Sequence, residues 1–178
     1  MKRILTTLLL ASSMPFALSY ALPYAQSQTP MGNMDHAKPK ATASTALMVM
    51  AGSKMATYTP ADLAALPQKT VKVANAHTKT DQTYSGPLLT DVLAKLGADL
   101  GKPLLRSYVK AQGTDKYWVL YSGIEIDPAS HLGDTIVALT LDGQPLTDNG
   151  AFMLVSTEDK KPQRWVRNLT ALTLIQPE

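Results

Sequence analysis

Ile136-Val137-Ala138-Leu139-Thr140-Leu141-Asp142-Gly143-Gln144-Pro145-Leu146 reads as an alternating strand that runs into a tight turn. Asp-Gly is a strong hairpin signal, because the type I′ two-residue hairpin turn needs positive φ at both positions. Outward from this stretch the same pattern repeats. Downstream, Phe152 to Val155 and Asn168 to Ile175 are strands, and Glu158 to Pro162 forms a solvated turn between them. Upstream, Leu105 to Ala111 and Tyr117 to Tyr121 are two strands around a Gln112-Gly113-Thr114-Asp115 turn. Thr70 to Val73 alternates with one face buried, and Leu47 to Met50 is a short apolar strand stopped by Gly52.

Two short helices interrupt the strands. Thr59-Pro60-Ala61-Asp62 starts the first: Thr59 caps, Pro60 suits the first helical position, and Asp62 favours the positive end of the helix dipole. Ser85-Gly86-Pro87 opens the second, where Leu88, Leu89, Val92, Leu93 and Leu96 share one face and Gly97 caps. Strands dominate, so the fold class is α+β, mostly β, with mixed sheets and a few short helices.

The N-terminus reads as an export signal. Lys2 and Arg3 precede an apolar run from Ile4 to Ala11, and no acid occurs before Asp35. Cleavage is expected after Ala21 or Ala25. An uncleaved anchor is the weaker reading, because Thr6, Thr7, Ser12, Ser13 and Pro15 interrupt the run and a span wants roughly 20 mostly apolar residues. The expected organisation is a signal peptide over 1–25, a polar tether over 26–44 and one domain over 45–178, in the periplasm or secreted. Cleavage at the later site leaves 153 residues with 15 basic and 14 acidic side chains. That balance offers no footprint for nucleic acid or an anionic membrane, and no later segment is long or apolar enough to span a bilayer.

The chain has no cysteine. This excludes disulfides, thiolate metal sites, iron–sulfur clusters, covalent haem attachment and cysteine nucleophiles. Ser107-x-x-Lys110 matches a serine acyl-enzyme pattern, but it lies in an alternating strand rather than on a helix turn and reads as chance. His36, His77 and His131 show no metal-ligand spacing. In the tether, Met31, Met34, Asp35 and His36 bring two thioethers, a carboxylate and an imidazole together, a set that suits copper. The other reading is a linker without a ligand. Met48, Met50 and Met55 are expected in the core. Arg164-Trp165-Val166-Arg167 places two guanidiniums near an indole. As a strand it either binds an anion or flat ring, or packs Trp165 at a sheet edge with snorkelling arginines.

Five segments, in order, carry a resemblance: Tyr58 to Pro67, Tyr84 to Leu93, Asp115-Lys116-Tyr117, Ile136 to Leu146, and Arg164 to Leu169. From Leu47 to Ile175 the chain resembles the oxidoreductase molybdopterin-binding domain of sulfite oxidases and related enzymes, in its short, stand-alone, exported form. The resemblance implies that fold, a molybdopterin cofactor and redox chemistry. Two departures bear on function. The family's molybdenum-ligating cysteine has no counterpart near Val73-Ala74-Asn75-Ala76-His77, and a family arginine position is Met153. The implied site would be lined by Asn75, His77, Arg106, Asp115, Tyr117, Arg164, Trp165 and Arg167.

The expectation is a non-catalytic module that binds a small anionic ligand or a periplasmic protein partner. The alternatives are an oxidoreductase that keeps a pterin without a cysteine ligand, and copper binding by Met31, Met34 and His36.

Overall fold

Alternating apolar residues build most of the strands. The computed structural model describes residues 41–74, 80–159 and 161–176, all within the unit Pro39–Glu178. The chain opens with β1 (Leu47–Ala51), β2 (Lys54–Tyr58), α1 (Pro60–Ala64), β3 (Lys69–Ala74), β4 (Asp81–Gly86) and α2 (Leu89–Lys95). A 3-10 turn (Lys102–Arg106) leads into β5 (Tyr108–Gly113), β6 (Trp118–Ser122) and α3 (Gly123–Ile126). Next come β7 (Thr135–Ala138), β8 (Thr140–Leu141), β9 (Gln144–Pro145) and β10 (Met153–Ser156). A second 3-10 turn (Pro162–Arg164) and β11 (Leu169–Ile175) complete the order.

The largest sheet has the order β2-β1-β11-β5-β6, with β1 parallel to β11 and every other pair antiparallel. Its inner face buries Leu47, Val49, Val109, Ala111, Tyr121, Leu172 and Leu174 against Leu63 of α1 and Leu89, Val92 and Leu93 of α2. A four-stranded sheet, β3-β4-β8-β9, contributes Val71 and Tyr84 to a second cluster. Between the two clusters runs the ribbon β7-β10, all eight of whose residues are buried. Val137 and Leu154 face the first cluster; Ile136, Ala138, Met153 and Val155 face the second. Each fully buried aliphatic side chain contributes about 1.5–3 kcal/mol, so a chain without disulfides rests on these two clusters.

Local chemistry explains the joints. The Thr59 hydroxyl accepts from the Asp62 amide at 3.3 Å, and the Asp62 carboxylate accepts from the Thr59 amide at 2.8 Å, a reciprocal cap with Pro60 in the first turn. Asp142 (φ 52) and Gly143 (φ 78) turn β8 into β9. At Gly86 the chain crosses β7 so closely that a Cβ would lie 2.0 Å from the Val137 carbonyl oxygen. Only glycine lets the Pro87 carbonyl accept from the Val137 amide (2.9 Å) and the Ser85 carbonyl from the Leu139 amide (2.8 Å).

Several expectations change. Ile136 to Leu141 is not one half-buried strand: β7 is buried on both sides, and the chain leaves it at Leu139 to join another sheet as β8. Leu105 and Arg106 lie in a 3-10 turn, so that strand starts at Tyr108. β2, β4 and α3 appear where no element was read. Arg164-Trp165-Val166-Arg167 is not a strand; it leaves a 3-10 turn and touches β10 through a single Val166–Leu154 bridge. Met48 (36 % exposed) and Met55 (68 %) lie outside the core. Residues assigned to the tether already pack, since Ser44 is buried and its carbonyl accepts from the Ala151 amide at 2.8 Å. Ser107 is buried and donates to the Leu104 carbonyl, not to Lys110. The rest of the tether and the signal segment lie outside the described residues. Among the described residues, no helix is long and apolar enough to cross a membrane.

Candidate functional site

The second cluster is open at one end, and a cavity of about 660 Å³ continues from it. Its floor is Val73 of β3, Tyr84 of β4, Met153 of β10 and the ring of Trp165. β3 and β4 place Val73 and Tyr84 on one face, because Val71 pairs with Tyr84 and Val73 with Gln82 in register. The Trp165 indole donates from Nε1 to the Ser156 carbonyl at 2.9 Å. Its ring forms a T-shaped pair with that of Tyr84, with centroids 5.6 Å apart and planes at 78°. The half-buried indole thus gains a hydrogen-bond partner and a fixed orientation. Burial raises the Tyr84 phenol above its ordinary range, and the nearby Arg167 guanidinium works against that shift.

The rim is polar and comes from β3, the 114–117 turn and the 157–167 segment. Lys72 reaches it while paired to Asp81 at 2.8 Å. Asp115 reaches it and accepts the Tyr117 amide at 3.0 Å. The Tyr117 hydroxyl donates to the Gln163 carbonyl and ties the two rim segments together. Asp159 reaches the rim but belongs to Arg164, which donates to it from Nη2 at 2.8 Å and from Nε at 3.1 Å. That leaves Lys161 and Arg167 against Asp115. Among the described residues neither of these cations forms an ion pair.

Arg164 itself is held internally. Nη1 donates to Glu125 at 3.0 Å, and the guanidinium lies 4.5 Å from the Tyr121 ring centroid. The Asp159 and Glu125 carboxylates hold its pKa above the ordinary arginine value. Burial works to raise the Glu125 carboxyl, but hydrogen bonds from the Ser122 amide and hydroxyl and from Arg164 bring it below its ordinary value. Tyr121, mostly buried, is pushed well above the ordinary phenol range and donates to the Arg164 carbonyl at 2.9 Å. This cluster anchors the 157–167 segment to α3 and β6, beside the cavity.

Of the residues singled out from sequence, Asp115, Tyr117, Trp165 and Arg167 meet at the cavity. Arg164 does not line it and is satisfied elsewhere; Arg106 lies on the 3-10 turn and does not line it either. Asn75 and His77 lie outside the described residues, as do Met31, Met34 and His36. Ala74, which directly precedes Asn75, does line the cavity. Sequence reasoning missed Lys72, Gln82, Tyr84, Asp159 and Lys161. Tyr84 had a signal, as the first residue of a segment that carries the family resemblance, whereas Lys161 looked like part of a solvated turn.

No family model and no curated protein matches the chain. Among solved structures it is similar to the sulfane dehydrogenase SoxCD from Paracoccus pantotrophus, with 17 % sequence identity and a TM-score of 0.57. The match covers 74 % of this chain and 38 % of that one, so the chain spans well under half the length of its structural neighbour. This likeness shows a related fold.

Molybdopterin, which the family resemblance implies, fits only in part. The cavity is large enough for a flat ring system, and Arg167 and Lys161 could face a phosphate. Among the described residues the metal finds no match: the floor presents a thioether and two aromatic rings, and the chain has no thiolate. Among the described residues, no three His, Asp or Glu side chains converge on one point.

Proposed function

We propose that the chain is an exported binding module that holds a small, flat, anionic ligand in this cavity and carries out no molybdenum chemistry. The observation that carries the reading is the charge balance at the rim. Lys72 and Asp159 are each neutralised by a partner outside the ligand space, which leaves Lys161 and Arg167 facing Asp115 above an apolar, ring-lined floor. One surplus cation over aromatic edges suits a ring that carries one acidic group. The ring packs on Trp165, Tyr84 and Met153, and the acid pairs with Arg167, whose planar fork matches a carboxylate or phosphate. Lys161 adds long-range attraction.

Thermal-shift titration of the purified chain with benzoate, indole-3-carboxylate, phenyl phosphate and the neutral benzamide tests this reading. The acids are expected to raise the melting temperature and benzamide to leave it unchanged. Equal responses to acids and amide, or no response to any acid, would overturn it. Stoichiometric molybdenum in protein purified from the periplasm would favour an oxidoreductase. Export is tested by N-terminal sequencing of that material, which is expected to begin after Ala21 or Ala25.

A further inference from the structure

β3 is the outermost strand of its sheet, and among the described residues it pairs with β4 alone. The ladder on the far side of β4 fixes which way the β3 backbone points. The Thr83 and Ser85 carbonyls accept from the Asp142 and Leu139 amides, and the Thr83 amide donates to Asp142 Oδ1, so Thr83 and Ser85 turn toward β8. Successive residues of an antiparallel strand direct their backbone groups to opposite edges. Gln82 and Tyr84 therefore turn toward β3, where they stand opposite Val73 and Val71. Val71 and Val73 bond inward to β4, and Lys72 and Ala74 direct their N–H and C=O groups outward. Among the described residues no other backbone group bonds to either of them.

This free edge is a wall of the cavity. Lys72, Val73 and Ala74 line it in succession, which alternating side chains alone cannot do. The Val73 side chain packs with Val71 against the second cluster. Those of Lys72 and Ala74 lie on the other face of the sheet, where the Lys72 ammonium meets Asp81, the residue opposite Ala74, at 2.8 Å. Lys72 and Ala74 thus meet the cavity through their backbone, and both are exposed. The same cavity carries Lys161 and Arg167 at its rim and Tyr84, Met153 and Trp165 on its floor.

We infer that the ligand is the C-terminal end of an extended peptide whose last residue is aromatic. The inference rests on the binding reading above and names the class of its ligand. The peptide lies beside β3 as a further strand of that sheet and exchanges hydrogen bonds with the backbone of Lys72 and Ala74, the mode in which an exposed sheet edge takes up a peptide. Every second peptide side chain then points to the face of Val71 and Val73, into the cavity. The terminal ring packs on Trp165 and Tyr84, and the terminal carboxylate pairs with Arg167. One negative charge at the end of the peptide matches the one surplus cation of the rim. A free aromatic acid uses the floor and the cation but leaves the edge to water, whereas a peptide engages all three.

Isothermal titration of the purified chain with acetyl-Ser-Thr-Val-Thr-Trp, its C-terminal amide and indole-3-carboxylate is the test. The peptide acid is expected to bind about tenfold or more tightly than indole-3-carboxylate, through its added backbone bonds. The amide is expected to lose about tenfold or more against the peptide acid. Two further peptides carry N-methyl groups, one on Ser and Val, the other on the two Thr. Because only alternate N–H groups of an added strand face β3, one methylation pattern is expected to remove the gain over indole-3-carboxylate and the other to keep it. A peptide that binds no more tightly than indole-3-carboxylate, an amide as tight as the acid, or equal losses from both methylation patterns overturns the peptide inference and leaves the small-ligand reading standing. Failure of the peptide and of every aromatic acid to bind overturns both.

Discussion

The rings of Trp165 and Tyr84 meet in a T at 78°, and this pair joins the second hydrophobic cluster to the floor of the cavity. One contact therefore serves both stability and the shape of the site. Trp165→Phe keeps a ring but leaves the Ser156 carbonyl without its donor, and is expected to cost about 1 kcal/mol. Trp165→Leu also loses the edge contact, a further ~0.5–1.5 kcal/mol. Urea unfolding of the two variants should rank them in that order. Equal losses would mean that the ring contact contributes nothing.

Arg164 and Arg167 are three residues apart and do different work. Arg164 bridges Glu125 and Asp159, so Arg164→Ala takes the cation away from two half-buried carboxylates, of which Glu125 keeps only its bonds from Ser122, and should destabilise by about 1–3 kcal/mol. Arg164→Lys should recover only part of this, because an ammonium lacks the planar fork that holds Asp159 through Nε and Nη2 while Nη1 reaches Glu125. Equal stability of the lysine variant and wild type in urea would show that the fork geometry is unimportant.

Arg167 is exposed at the rim and makes no ion pair among the described residues. Arg167→Ala should leave stability within about 0.5 kcal/mol of wild type. The same variant should abolish the thermal shift produced by indole-3-carboxylate. A full shift in Arg167→Ala would move the anion contact to Lys161 or elsewhere.

The pH dependence follows from Glu125. Its carboxyl is lowered in the folded chain relative to an ordinary glutamate, so the unfolded state binds more protons as the solution becomes acidic. Its contribution is therefore fully present above the ordinary glutamate range and is lost as pH falls through the folded value. Wild type minus Glu125→Gln, measured by urea unfolding, should shrink steadily between about pH 6 and pH 3. A difference that stays constant with pH would show that Glu125 acts only through its shape.

The mostly-β class, the Thr59 cap and the Asp142-Gly143 turn were legible because each rests on neighbouring residues. What stayed hidden depends on distant ones. Ile136 to Leu141 looks like a single alternating strand until the ribbon β7-β10 is found between two clusters, which buries Ile136 and Val137 alike. Met48 and Met55 are as apolar as core residues, and only the register with β11 and β2 puts them on the outer face. At the site, Trp165 and Arg167 stood out as a dense local cluster. Lys72 and Lys161 carry ordinary surface chemistry, and only the convergence of β3 with the 157–167 segment makes them part of a rim. Arg164 was the reverse case, since its partners Glu125 and Asp159 cannot be read from spacing.

Gly86 offers the sharpest test of how the two clusters are joined. A Cβ there would sit 2.0 Å from the Val137 carbonyl oxygen and 2.8 Å from the Ala138 Cα, both backbone atoms that cannot swing aside. The crossing also carries two backbone hydrogen bonds, from Val137 to Pro87 and from Leu139 to Ser85. Gly86→Ala must push β4 away from β7, which breaks those bonds and opens the second cluster beneath the cavity. The expected loss is about 3 kcal/mol or more in urea unfolding. Indole-3-carboxylate binding should weaken in the folded fraction, because Tyr84 lies two residues away on the displaced strand. Gly143→Ala is the control: it has no neighbour within 4 Å of the added carbon and only a positive φ to strain, so it should cost about 1 kcal/mol and leave binding unchanged. If both substitutions cost the same, the close crossing is not what holds β4 and β7 together.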